Sequence, residues 1–174
     1  MKNFVFILIF VIHGQFLFSQ VQKDFNGWEF LEWNSKKRDV EKTLKDKNIE
    51  IQETYSEAAY DKITRFHYND FNTWLYFDSL NQLDSVEQYK EFSVIQDEEA
   101  NSFYEMTEKY LVQKFGKPDL QTNNTTAKLI TLKWNLKFTK VQLTYDYKYK
   151  IIDEFGCCSY KVDILYKPIY SDEK

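Results

Sequence analysis

From Lys140 to Lys150 the chain alternates without a break. Val141, Leu143, Tyr145, Tyr147 and Tyr149 fall on one side, and Lys140, Gln142, Thr144, Asp146 and Lys148 on the other. Successive side chains of a strand leave opposite faces of a sheet. A period of two with this polarity therefore requires an antiparallel strand with one covered face and one wet face. Tyr160, Val162, Ile164 and Tyr166 repeat the pattern against Lys161, Asp163 and Lys167, until Pro168 removes a ladder donor and ends the pairing. Leu129 to Phe138 supplies a third strand, and Gln121 to Thr126 reads as the polar loop before it.

Something must cover the apolar side of such a sheet, and Asp97 to Phe115 has the right periodicity. Ala100, Phe103, Thr107, Tyr110, Leu111 and Phe115 follow helical spacing. Asp97, Glu98 and Glu99 suit the positive end of the helix dipole and Lys114 the negative end. Gly116 and Pro118 mark the exit. A shorter helix is predicted from Lys36 to Lys47, with Val40 and Leu44 on one face and Asn34 and Ser35 offering capping side chains. Trp28 to Trp33 reads as an extended lead-in. Between the helices, Ile49 to Phe92 reads as a meander. Ile63, Arg65 and His67 share one face of a strand and Thr64, Phe66 and Tyr68 the other; Trp74 to Phe77 and Gln82 to Phe92 supply further strands. The order predicts an α+β fold with two helices packed on one face of an antiparallel sheet. Two helix-plus-meander halves are a further reading of the same order.

Trp33-Asn34-Ser35 leading into Val40 and Leu44, the Phe115-Gly116-Lys117-Pro118 exit and the Trp134-Asn135 strand together resemble small exported bacterial helix-plus-meander domains. The outer-membrane assembly lipoprotein BamE and the beta-lactamase inhibitor protein are of this kind. The resemblance implies binding of another protein through a sheet face and its loops. It carries over no functional residue: this chain has no cysteine after its leader for a lipid, and its two cysteines are not placed to staple two repeats.

The N-terminus indicates where the protein works. Met1-Lys2-Asn3 precedes an apolar run from Phe4 to Ile12, and Ser19 precedes a polar start. This is the layout of a secretory signal peptide. The run is short of the roughly 20 apolar residues a spanning helix needs. Residues 1–19 are read as a signal peptide, with Gln20 as the alternative last residue, and 20–174 as a single α+β domain. The expected location is the periplasm or the extracellular space, with no stable membrane span after cleavage.

Charge and residue types exclude several functions. Lys+Arg total 23 against Asp+Glu 27, a net charge of -4, so the basic face that nucleic acid demands is missing. The Lys36-Lys37-Arg38 cluster is soon followed by Asp39 and Glu41 and reads as a solvated helix face. Arg38 and Arg65 are the only arginines, which disfavours a dedicated anion site. With only 4 Gly there is no phosphate-cradling loop. His67 is the single histidine of the mature chain, and no nucleophile motif accompanies it. Asp97-Glu98-Glu99 is explained by its position at a helix start. No catalytic residue, cofactor or metal site is expected.

The export signal, the sheet-plus-helix architecture and the lack of a catalytic signature make recognition the leading functional class, and aromatic residues, 18% of the chain, are more than a core strictly needs. The leading reading is a non-enzymatic interaction domain for an envelope or secreted protein. The alternatives are glycan or small-molecule binding through Tyr145, Tyr147 and Tyr149, and an immunity or inhibitor protein. The competing reading of that tyrosine stripe is burial beneath the Asp97–Phe115 helix.

Cys157 and Cys158 are adjacent, in a stretch read as a hairpin loop from Asp153 to Ser159. Neighbouring thiols lack the spacing and number of a metal site. A bond between them is far from ordinary disulfide geometry. A strained vicinal disulfide, a disulfide to another chain and two reduced thiols remain as states. The exported product, measured by intact mass without reductant, is expected as a monomer lacking residues 1–19 at full thiol mass. A loss of two hydrogens would establish the vicinal bond, and a doubled mass a bond between chains.

Overall fold

A computed structural model describes residues 26–52, 63–93, 95–126, 128–152 and 157–170, with side chains described outside 147–158. The elements run in the order β1 (Gly27–Trp28), β2 (Leu31–Glu32), α1 (Lys37–Asp46), β3 (Ile51–Gln52), β4 (Ile63–Tyr68), β5 (Phe71–Phe77) and β6 (Leu83–Phe92). After these come α2 (Asp97–Phe115), β7 (Leu120–Asn124), β8 (Leu129–Asn135), β9 (Thr139–Ile152) and β10 (Cys157–Pro168). The fold is α+β and mostly antiparallel sheet. β1 and β2 pair only with each other, while the remaining strands form an 8-stranded sheet in the order β3-β4-β5-β6-β10-β9-β8-β7. Each helix is thus followed by a four-strand meander, and the two meanders join along β6 and β10.

Register carries single rows of side chains across both meanders. Phe66, Thr73, Gln88, Ile164, Leu143 and Leu132 stand opposite one another from β4 to β8. Thr64, Leu75, Val86, Tyr166, Val141 and Trp134 form the adjacent row. All twelve positions are buried. They define the covered face, and removing this apolar area from water is the main stabilising term of the fold.

α2 lies on that face. The Tyr104 ring stacks on Tyr145 at 4.9 Å, and Tyr145 donates its hydroxyl hydrogen bond to Asn101 Oδ1 at 3.1 Å. Phe103 meets Phe71 at 5.1 Å and Phe92 at 5.5 Å. α1 buries Val40 and Leu44, and its Glu41 accepts a 3.2 Å hydrogen bond from Thr64. The lead-in is tied down as well. Asn34 N–H donates to the Leu83 carbonyl and Leu83 N–H to the Ser35 carbonyl. Trp28 packs among Phe30, Phe66, Tyr68 and Tyr166. Two buried indoles act as long-range ties: Trp33 Nε1 donates to Thr139 Oγ1 at 2.9 Å, and Trp134 Nε1 to the Gly116 carbonyl at 2.8 Å. Gly116 closes α2 with φ 84°, a region that favours glycine.

Several details differ from the sequence reading. Neither Asn34 nor Ser35 caps α1. The cap residue is Lys36 in extended conformation, without a side-chain bond, because Asn34 and Ser35 give their backbone groups to β6 instead. The stretch read as a polar loop contains β7, which pairs with β8 through its backbone while every side chain is exposed, so it shows no hydrophobic alternation. Cys157, Cys158 and Ser159 are strand residues of β10 opposite Ile152, Ile151 and Lys150. On α2 the buried face holds Tyr104, and Tyr110 is exposed. Residues 1–19, read as a signal peptide, residues 153–156 of the stretch read as a hairpin loop, and the side chains of Tyr147, Tyr149, Cys157 and Cys158 lie outside the described residues. Among the described residues no helix is long and apolar enough to cross a membrane.

The Trp33 tie joins the lead-in to β9 across 106 residues of sequence. Trp33→Phe keeps most of the ring and removes the donor, leaving the buried Thr139 hydroxyl with only its long 3.4 Å bond to the Gly27 carbonyl. A loss of about 1–3 kcal/mol in chemical denaturation is expected. An unchanged midpoint and slope would show that the bond contributes nothing.

Candidate functional site

The alternate positions of the same strands build the opposite face of the sheet. Arg65, Trp74, Glu87, Leu165 and Gln142 form one row, and His67, Asn72, Tyr89, Asp163 and Thr144 the next. Few of these side chains are fully exposed, because neighbours on a flat sheet lean on one another. The Arg65 guanidinium sits 4.2 Å above the Trp74 ring. Trp74 meets Tyr89 edge-on at 5.4 Å and 86°, and Tyr76 at 6.2 Å. Lys161 lies 4.8 Å over the Tyr89 ring. Cations over aromatic faces are held by the ring quadrupole and gain more when partly desolvated, as here.

Beside this cluster two carboxylates share one ammonium. Lys161 Nζ donates to Glu87 Oε1 at 2.9 Å, and Tyr76 donates its hydroxyl to Glu87 Oε2 at 2.7 Å. Asp163 Oδ1 is 3.5 Å from the same ammonium, an ion-pair distance without a hydrogen bond. The Lys161, Glu87 and Asp163 side chains are only 15%, 19% and 19% exposed. Burial alone would raise the Glu87 carboxyl, but the hydrogen bonds from Lys161 and Tyr76 outweigh it and hold it below the ordinary value. Asp163 has the weaker share of the cation. Burial pushes it up to about 7, Lys161 opposes this, and the nearby Glu87 charge adds to it. Burial and then Glu87 hold the Tyr76 hydroxyl well above its ordinary value, so it remains a donor. The site is a stacked cation–aromatic surface bordered by a carboxylate pair that shares one ammonium.

The residues singled out in the sequence are distributed differently. Tyr145 is wholly buried, stacked on Tyr104 and bonded to Asn101, so it is a core side chain beneath α2. His67 is exposed and holds Asn72 Oδ1 through Nδ1 at 3.1 Å. Arg65, Trp74, Tyr76, Glu87, Tyr89, Lys161 and Asp163 were not expected as a group. The available signal was that each sits at a wet-face position of its strand. Their adjacency depends on β6 pairing with β10, between residues more than 70 apart. Among the described residues no group of His, Cys, Asp and Glu is placed to hold a metal ion.

No family model and no curated protein matches this sequence. Among solved structures, the chain is similar to a DUF4309 family protein (YjgB) from Bacillus subtilis, with TM-score 0.46 and 12% identity over 81% of this chain and 84% of that one.

Asp163 gives a pH test. Folded, it keeps its proton between the ordinary carboxyl value of 3.8 and about 7, where the unfolded carboxyl has lost it. The folded state then binds more protons than the unfolded one, so this group's contribution falls as pH rises through that window. Glu87, whose value is lowered, acts in the opposite sense, and its contribution is lost as pH falls through its folded value. Asp163→Asn removes the first effect. Its Tm relative to the parent should climb from about pH 4 to about pH 7 and then level off. A difference that stays constant across this range would contradict the assignment.

Proposed function

We propose that this chain is an exported, non-enzymatic protein-recognition domain whose contact surface is the Arg65–Trp74–Tyr89 face of the sheet. The observation that carries the reading is the Arg65 guanidinium stacked on Trp74 with Tyr89 at its edge. Arg, Trp and Tyr dominate the energy of protein interfaces, where rigid rings and planar forks are held in place before binding. Export rests on the leader at residues 1–19. The partner is an envelope or secreted protein, and inhibition of an enzyme or toxin is one form such recognition takes. We further read both helices as lying on one face, as two helix-plus-meander halves. Thr64 bonds α1 and Tyr145 bonds α2, and both belong to the covered side. This arrangement leaves the outer face to a partner.

A glycan is the poorer fit. Sugars stack on an open ring face, and Arg65 already occupies one face of Trp74 at 4.2 Å. Lys161 likewise lies over Tyr89.

Tagged mature protein, incubated with native envelope and medium, should retain a stoichiometric protein identifiable by mass spectrometry. Trp74→Ala and Arg65→Ala should each weaken its binding by about 2 kcal/mol, roughly 30-fold. Arg38→Ala, on the exposed side of α1, should leave it unchanged. Undiminished binding by a Trp74→Ala variant of parental Tm would rule out this face.

A further inference from the structure

We propose that the cleft between α2 and the covered face of the sheet binds a small uncharged aromatic molecule carrying one hydrogen-bonding group, of the phenol or indole type. The first observation is an anomaly in the core. In the row from Phe66 to Leu132, Thr73 and Gln88 place polar side chains at the centre of the most buried surface of the protein. Gln88 is 5% exposed. Its side-chain partner among the described residues is Thr73 Oγ1, at 3.5 Å, the long limit for such a bond. An amide has two N–H donors and a carbonyl acceptor, and a buried amide is costly unless those groups are used. A leucine here would simply extend the core.

The second observation is that this amide lines a cleft. The space measures about 210 Å³. An apolar cavity of about 150 Å³ accommodates benzene, so there is room for one ring and a substituent. Phe71, Phe103 and Ile164 form the walls, and Tyr68 and Tyr166 add ring faces with hydroxyls. Phe103, Met106, Thr107 and Tyr110 follow one helical stripe of α2 over the cleft. Met106 and Tyr110 are 60% and 48% exposed, which makes them an apolar rim at the mouth. The stripe thus extends past what the sheet covers, explaining two large apolar side chains that the core does not use.

Charge selects the class of ligand. Glu29 is the charged residue lining the cleft, and Lys114 neutralises it with a 2.6 Å bond. A cation would find its carboxylate already paired, and an anion would meet that carboxylate and the tyrosine ring faces. A neutral ring stacks on the aromatic walls while its N–H or O–H reaches the Gln88 amide.

The test is titration of the purified protein with indole and with phenol, followed by ¹H–¹⁵N NMR. Saturable shifts are expected for the Gln88 side-chain amide and for backbone amides from Phe103 to Tyr110. Benzene should bind at least fivefold more weakly because it cannot use the amide, and benzylammonium should not bind. Gln88→Leu should weaken indole at least tenfold. Met106→Trp, at an exposed rim position where folding is not at stake, should block the mouth and do the same. Shifts that rise linearly without saturation, or that scatter over the surface, would overturn the proposal. So would unchanged indole affinity in Met106→Trp.

Discussion

The seam between β6 and β10 is the pairing on which the rest of the molecule depends. These strands are separated in sequence by α2 and three strands, yet they run side by side from Phe92–Tyr160 to Val86–Tyr166. Without the seam there are two four-strand meanders, each with one more uncovered edge than it has in the joined sheet. With it there is one sheet on which each row of side chains continues from one meander into the other. The chain entropy spent in closing that long loop is recovered only because both faces of the seam are used. Ile164, Tyr166 and Val86 join the core on one side, and Lys161 reaches Glu87 on the other.

The two faces solve opposite problems with the same strands. On the covered face, α2 and the sheet both supply rings and aliphatic side chains, so the gain is area removed from water. On the outer face, half-buried charges must find partners or lose their charge. Glu87 keeps its charge because an ammonium and a hydroxyl both point at it, while Asp163, with a longer share of that ammonium, is held toward its protonated form. Arg65 and Lys161 lie over rings instead of extending into water. The result is a surface whose aromatic and charged groups are already ordered, and the proposed recognition draws on that order, because less entropy is then lost on docking. The cleft under α2 belongs to neither arrangement. Gln88 lines it at a position where the apolar row would otherwise continue.

Much of this was readable along the chain. The alternation of β9 and β10, the limits of the long helix at Asp97 and Phe115, and the opposite faces of Thr64–Phe66 and Arg65–His67 follow from period and end signals alone. The misses share a cause. β7 carries no alternation because an edge strand exposed on every side needs only its backbone to pair. Asn34 and Ser35 have capping chemistry, but their backbone groups were claimed by Leu83. Tyr104 and Tyr110 are the same residue type on one helix, and only the neighbour beneath, Tyr145 or open cleft, decides which is buried.

The sequence by itself determined the helices, most of the strands and the apolar side of β4, β9 and β10, while β7 escaped it. Those properties come from side-chain order within a few residues, and local order is what a periodic pattern records. Tertiary structure alone decided that Tyr145 is core, that Arg65, Trp74, Glu87, Tyr89, Lys161 and Asp163 share one surface, and that Gln88 opens into a cleft. Each of these depends on strand order and register. Both are set by long-range pairing energies summed over the whole sheet, and no short stretch of sequence carries them.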